Sequence, residues 1–106
     1  MRMNFTQSTR VAIKAANDFL AGKFGEIPDW AVDLAFFSRL EAGEKTLGCD
    51  MEIVSREFVF FVDRVSVLKV DVEAVAFNAD EFGDFSLAKL QFHDGTTWKK
   101  VELPVE

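Results

Sequence analysis

Several residue types are scarce in this chain, and each scarcity excludes a class of protein. Its 106 residues include one cysteine, one histidine, two prolines and no tyrosine. A single cysteine cannot form an internal disulfide, which excludes disulfide-rich secreted domains and favours a reducing compartment. One histidine and one cysteine are too few for a zinc site unless several carboxylates join them. We therefore expect neither a metal nor a cofactor.

Long apolar segments and targeting signals are also missing. The longest apolar run covers residues 58–62, far short of the roughly 18 residues that span a membrane. Residues 1–5 have neither the apolar stretch nor the small-residue cleavage site of a secretory signal. At 49% apolar residues the chain is too hydrophobic to be disordered. We expect a single soluble domain, 1–106, in the cytoplasm, with no membrane contact.

The net charge of −6 is concentrated in the second half of the chain. Residues 1–48 carry six basic and six acidic side chains, whereas residues 49–106 carry six basic and twelve acidic ones. Proteins bind nucleic acids by neutralising phosphates with lysine and arginine, so the imbalance argues against direct nucleic-acid binding. It favours a partner with a basic protein surface.

Two helical patterns open the chain, at about residues 5–21 and 29–42. The first predicted helix has one apolar face, formed by Ala12, Ile13, Ala16, Phe19 and Leu20. Gly22 is suited to end that helix. Asp29 is a favourable N-cap for the second helix, whose apolar residues cover an arc of about 200°, wider than a single packed face needs. The second helix is therefore expected either to pack on two sides or to offer part of its apolar face to a partner.

From Cys49 onwards the apolar residues alternate. This pattern predicts strands at about residues 49–54, 57–62, 65–77, 85–92 and 97–103. The third exceeds the usual strand length, which indicates a bulge or bend within it. Asp94-Gly95 favours a hairpin, whereas Asp63-Arg64 is not a favoured turn pair, so one bent strand from Phe58 onward stays an alternative.

Helices followed by strands are typical of an α+β fold. We expect two N-terminal helices packed on one face of a four- or five-stranded, mainly antiparallel, curved sheet.

Catalytic groups are hard to assemble from this sequence. His93 stands beside the Asp94-Gly95 turn, and Cys49 occupies an apolar register, where a buried cysteine acts as a small hydrophobe. No nucleophile elbow or Cys-His signature surrounds them. Asp33 is the best candidate for a shifted carboxylate: burial would raise its pKa, whereas a first-turn position would lower it, and we favour the latter. The chain is thus expected to be non-catalytic.

An acidic segment is the first candidate binding site. Between residues 71 and 84 there are five acids and no base, and Phe82 stands among them as an apolar anchor. The predicted partner-binding residues are Asp71, Glu73, Asp80, Glu81, Phe82 and Asp84. This set predicts an interaction module of inhibitor, immunity or adaptor type that recognises a basic protein. A mimic of nucleic acid, with carboxylates in place of phosphates, is an alternative.

The twelve phenylalanines suggest a second site. Residues 58–62 are apolar at both parities, so some of them must lie on the sheet face opposite the helices. Exposed apolar patches on soluble proteins mark interfaces or grooves. A second copy of the chain would cover such a face, giving a homodimer. The alternative is a small-molecule pocket between the second helix and the sheet, lined by Trp30, Asp33 and Phe37.

Overall fold

The computed structural model describes residues 5–32, 41–49, 52–78 and 81–103. It contains one long helix, α1 (Phe5–Leu20), a second helical segment at residues 29–32, and five strands. The strands are β1 (Glu41–Cys49), β2 (Ile53–Val62), β3 (Val65–Val75), β4 (Ser86–His93) and β5 (Trp98–Lys100). They form an open antiparallel sheet in the order β1-β2-β3-β4-β5. The α+β class with an antiparallel sheet is therefore confirmed.

The end of α1 follows from Gly22. Its φ of 78° lies in the left-handed region, which glycine adopts without the steric cost that a side chain brings. The Gly22 amide donates to the Phe19 carbonyl, and the Lys23 amide donates to the Asp18 carbonyl. This pair of bonds is the Schellman arrangement, which satisfies the last carbonyls of a helix. The helix thus stops where the sequence places its glycine.

Contacts of α1 reach three strands, β2, β3 and β4. The Phe19 ring lies 5.4 Å from that of Phe92, centroid to centroid. The Gln7 side chain makes two hydrogen bonds to the backbone of Phe85: it accepts one from the amide at 2.7 Å and donates one to the carbonyl at 3.3 Å. Residues 33–40 lie outside the described residues, so the packing of both helices on one face stays a prediction.

The two faces of the sheet differ sharply in burial. One face, here the inner face, is formed by buried side chains: Val54, Arg56, Phe58, Phe60, Leu68, Val70, Val72, Ala74 and Leu90. The other, the outer face, alternates with it along each strand and is mostly polar: Ser55, Glu57, Val59, Lys69, Asp71, Glu73, Lys89 and Gln91. The hydrophobic core lies against the inner face.

The prediction for residues 41–54 is wrong. Residues 41 and 42, expected to end a helix, begin β1, and the strand expected at 49–54 straddles the connection between β1 and β2. Two glycines and three charged residues give β1 a weak strand propensity of its own. Pairing with β2, from Glu41–Phe61 to Cys49–Val54, makes it a strand.

The β2–β3 hairpin also corrects the sequence interpretation. Asp63 and Arg64 have φ values of 49° and 70°, and Val62 pairs directly with Val65. Positive φ at both central residues is the geometry of a type I′ turn, whose twist matches that of the strands. A continuous bent strand from Phe58 is thereby excluded. The long pairing of β2 with β3 outweighs the poor turn propensity of this residue pair.

Bulges bend three of the strands. The residues left without a direct cross-strand partner are Leu47 in β1, Val67 in β3 and Ala88 in β4. The bulge expected within residues 65–77 is the one at Val67, and it turns both Val67 and Leu68 towards buried positions. β3 itself ends at Val75, and Ala76 pairs only as an isolated bridge with Phe82.

Candidate functional site

The most distinctive surface lies where β3 ends beside the start of β2. Phe77 is 67% exposed, Val75 57% and Ile53 43%. Ile53 and Val75 are direct cross-strand partners. Exposed Glu73 and Asp84 border the same place, and a groove of about 140 Å³ is lined by Ile53, Glu73, Ala74, Val75, Asp84 and Ser86. We call Ile53, Glu73, Val75, Phe77 and Asp84 the acidic rim.

The segment that follows β3 is fixed by backbone hydrogen bonds. The Phe77 amide donates to the Glu81 carbonyl at 2.9 Å, and the Gly83 amide donates to the Val75 carbonyl at 2.8 Å. The side chains of Asn78 and Glu81 add a second link, with Asn78 Nδ2 donating to Glu81 Oε1 at 3.2 Å. The amide of Glu81 also donates to Asn78 Oδ1. The rim is therefore held in shape before any partner arrives.

Phe82 is not the exposed anchor that the sequence predicted. It is only 5% exposed and belongs to the core, because its bridge to Ala76 turns the ring inward. Phe77 is the exposed phenylalanine of this segment, and its ring lies beside Gly83. A signal for Phe77 was present in the sequence: it shares its parity with Val75, opposite to that of Leu68, Val70 and Val72.

The other predicted partner-binding residues do not all lie in one place. Glu73 and Asp84 belong to the rim, and Glu81 is half-buried and holds the segment behind Phe77. Asp80 lies outside the described residues. Asp71 lies further along the outer face, where its neighbours are charged. The structure thus brings two of the five predicted acids to the groove.

Asp71 belongs to a row of charges that crosses four strands. In cross-strand register, Lys45 lies opposite Glu57, Glu57 opposite Asp71, and Asp71 opposite Lys89. Oδ1 of Asp71 is enclosed and has no hydrogen-bond partner among the described residues. Burial, with the repulsion of the Glu57 carboxylate, raises the pKa of Asp71, while Lys89 and Lys69 oppose this rise. The Asp71 carboxyl is therefore poorly hydrated in the folded protein.

Sequence analysis missed a charged side chain in the core. Arg56 is fully buried on the inner face. Its Nη1 donates to Ser8 Oγ at 3.1 Å, its Cζ lies 5.2 Å from the centre of the Phe85 ring, and its Nε lies 3.8 Å from Glu44 Oε1. Burial lowers the pKa of Arg56, and the Glu44 carboxylate opposes that change. The guanidinium joins α1 to the sheet and is inaccessible to a partner.

The pocket predicted between the second helix and the sheet is described only at Trp30. The Trp30 indole donates to the carbonyl oxygen of His93 at 2.7 Å, and its ring stacks on Phe19 with centroids 6.0 Å apart. These contacts use the side chain in packing. Asp33 and Phe37 lie outside the described residues, so both alternatives for the pKa of Asp33 stay predictions.

The remaining candidate groups take part in local structure. The Gly95 amide donates to His93 Nδ1 at 3.1 Å, and the His93 ring meets Trp98 edge-on at 5.3 Å. Lys69 Nζ lies 4.2 Å from the centre of the Trp98 ring, a cation–π contact on the outer face. Cys49 is the last residue of β1. The contacts of His93 belong to the connection between β4 and β5.

Two further features are absent from the described residues. No three histidine, cysteine or acidic side chains there come together in a way that could hold a metal ion. No helix of those ranges has the length and apolar character needed to cross a bilayer. Comparison with protein-family models, curated proteins and solved structures finds no match for this chain. Its function is therefore argued from its own residues.

Proposed function

We propose that this chain is a non-catalytic protein-interaction module of inhibitor, immunity or adaptor type, which works in the cytoplasm and binds a basic segment of another protein at its acidic rim. The observation that carries the proposal is the exposure of Phe77 beside Val75 and Ile53. Glu73 and Asp84 stand next to these apolar side chains. Apolar side chains that gather at one point of a small protein mark an interaction surface.

The chemistry of the rim specifies its partner. Carboxylates attract a basic segment at long range and orient it, whereas burial of Phe77 and Val75 supplies the affinity. Arginine suits this surface well, because its guanidinium can bind the carboxylate of Glu73 or Asp84 and stack on an aromatic ring. The hydrogen bonds of Phe77, Asn78 and Glu81 are already formed in the free protein, which lowers the entropy lost on binding.

Neither alternative function gains a specific observation. The groove is smaller than the pockets of about 300–1,000 Å³ that usually hold small molecules. A mimic of nucleic acid needs its carboxylates along one continuous track. Asp71 instead lies between Glu57 and Lys89 in cross-strand register, so a lysine interrupts the row of carboxylates there.

The test uses a synthetic peptide in which arginine alternates with leucine, and a matched peptide with glutamate in place of arginine. Binding to the isotope-labelled protein is followed by NMR and by fluorescence anisotropy. We expect the basic peptide alone to bind, to shift the amides around Val75 and Phe77, and to bind more weakly as salt screens the carboxylates. Phe77→Ala and the double variant E73K/D84K should each weaken binding about tenfold.

Matched variants separate the rim from the overall charge. E26K/E102K changes the net charge by the same amount as E73K/D84K, at exposed acids outside the acidic rim. Val65→Ala removes the same atoms as Val75→Ala, at an exposed valine outside the rim. These controls should leave peptide binding within about twofold of the original. Equal losses in E26K/E102K and E73K/D84K would show nonspecific attraction and contradict the proposal, as would binding that ignores Phe77→Ala.

A further inference from the structure

The two edges of the sheet are unequally protected. β5 has three residues, two of which are the exposed lysines Lys99 and Lys100. Short edge strands with lysine are the usual protection against pairing with another chain. β1 has nine residues, lacks proline, and presents exposed side chains along most of its length. Among the described residues, no strand pairs with its other side.

Only part of β1 is regular enough to accept another strand. From Glu41 to Thr46 it follows β2 without interruption, opposite Phe61 to Arg56. The bulge at Leu47 then breaks the register. Bulges increase the local twist and end regular pairing. Residues 41–46 are therefore the available edge.

Symmetry limits how this edge can pair with itself. Two identical antiparallel strands in one sheet are related by a two-fold axis perpendicular to it, so one residue must lie opposite its own copy. An axis at Glu44 or at Lys45 places like charges directly opposite each other, which is unfavourable. An axis at Ala42 joins only residues 41–43 of β1, and one at Thr46 crosses the bulge.

An axis at Gly43 has none of these defects. It places Glu41 opposite Lys45 of the second copy, and symmetry repeats that pair on the other side of the axis. Both side chains are exposed and share the outer face. Opposite charges at directly opposed positions stabilise a strand pair. Gly43 has no side chain to crowd its own copy at the axis.

We propose that β1 pairs antiparallel with β1 of a second copy about a two-fold axis at Gly43, which joins two five-stranded sheets into one. The occupant of this edge is the chain itself, because an axis at Gly43 places Glu41 and Lys45 each opposite the complementary charge of the second copy. Of the charged row of Lys45, Glu57, Asp71 and Lys89 on the outer face, this dimer uses Lys45 alone. The dimer is independent of the acidic rim.

Sedimentation equilibrium of charge-reversed variants tests the register. Glu41→Lys alone and Lys45→Glu alone each create two like-charged pairs across the axis, so each should raise the dimer dissociation constant about tenfold. An equimolar mixture of the two variants should recover the original affinity. In the mixed dimer, the lysine introduced at position 41 faces the glutamate introduced at position 45, and the native pair remains on the other side.

Two controls separate pairing from misfolding. Lys45 lies opposite Glu57 of its own chain, whereas Glu41 lies opposite Phe61, so Glu41→Lys is the cleaner variant and circular dichroism verifies both folds. K99E/K100E reverses charge on the other edge and should leave the dimer unchanged. A protein that stays monomeric at millimolar concentration overturns the proposal. So does a dimer indifferent to both reversals, or a mixture no tighter than either variant alone.

Discussion

The inner and outer faces of the sheet differ in burial, yet each has charged and aromatic side chains in or beside it. Each has one poorly hydrated charge, Arg56 on the inner face and Asp71 on the outer face. The segment between β3 and β4 contributes Phe82 and Phe85 to the core and Phe77 to the surface. Residue type alone therefore does not show whether a side chain packs in the core or lies on a surface that binds a partner. The two roles are decided by the position of a residue in the alternation of its strand and by the contacts of the segment that follows β3.

Replacing Phe82 and Phe77 breaks the comparison most directly. Phe82→Ala should lower the free energy of unfolding by about 3–5 kcal/mol, because it removes a buried ring and leaves a cavity. Phe77→Ala should change it by no more than about 0.5 kcal/mol, because the ring is mostly exposed. Urea unfolding followed by circular dichroism measures both. Similar losses in the two variants would mean that Phe77 is a packing residue and not a binding one.

The buried charge of the inner face should give the next largest effect. Arg56→Ala removes the hydrogen bond to Ser8 and the contact with Phe85, and should cost about 3 kcal/mol of unfolding free energy. Arg56→Met keeps much of the volume without the charge. Well-packed apolar replacements of buried ions are often neutral, so it should cost less than about 1.5 kcal/mol. Equal losses in both variants would show that the charge itself stabilises the fold.

Removal of the Asp71 charge on the outer face should stabilise the protein, in contrast to the loss of the Arg56 side chain. The pKa of Asp71 is raised in the folded protein, so the folded state holds this proton more tightly than the unfolded state does. Stability is therefore lost as pH rises from the ordinary carboxyl pKa through the raised one. Asp71→Asn should increase the melting temperature at neutral pH and change it little under acid conditions. A variant less stable than the original at neutral pH would contradict this assignment.

The limits of sequence reasoning follow the same division. Val75 and Phe77 have the opposite parity to the buried residues Leu68 to Ala76, and this signal is readable from the sequence because strand alternation is local. Burial of Phe82 was not predictable, since it depends on the bridge to Ala76 across the segment. β1 was missed for a similar reason: its pairing with β2, not its own residues, makes it a strand.

Arg56 shows that a correct register can still mislead. It follows Val54 and precedes Phe58 at the same parity, so alternation alone places it among buried residues. Its charge argued for a surface position, and no local pattern identifies Ser8 as its partner, 48 positions away along the chain. The burial of Arg56 and of Phe82 depends on contacts that strand alternation does not reveal, with Ser8 and with Ala76 respectively, which is why the candidate site was only partly predictable.

Asp94 provides the smallest effect and the opposite pH trend to Asp71. Its Oδ1 accepts hydrogen bonds from the amides of Thr97 and Thr96, and Lys99 lies 3.2 Å from Oδ2. These contacts lower the pKa of Asp94 to about 2. The stability that they supply is present above the ordinary carboxyl pKa of 3.8 and is lost as pH falls towards the lowered value.

Asp94→Asn should therefore lower the melting temperature at neutral pH, and the difference should shrink as the solution is acidified towards pH 2. The asparagine keeps one oxygen acceptor for the turn amides and loses the charge, so the effect should be smaller than that of either core variant. The pH dependence of D71N and D94N, measured together with the double variant, should be additive, because the two carboxyls have no common partner among the described residues. A D94N variant whose deficit persists unchanged in acid would show that the turn depends on side-chain shape, and the opposite trends of the two carboxyls would then not reflect their charge.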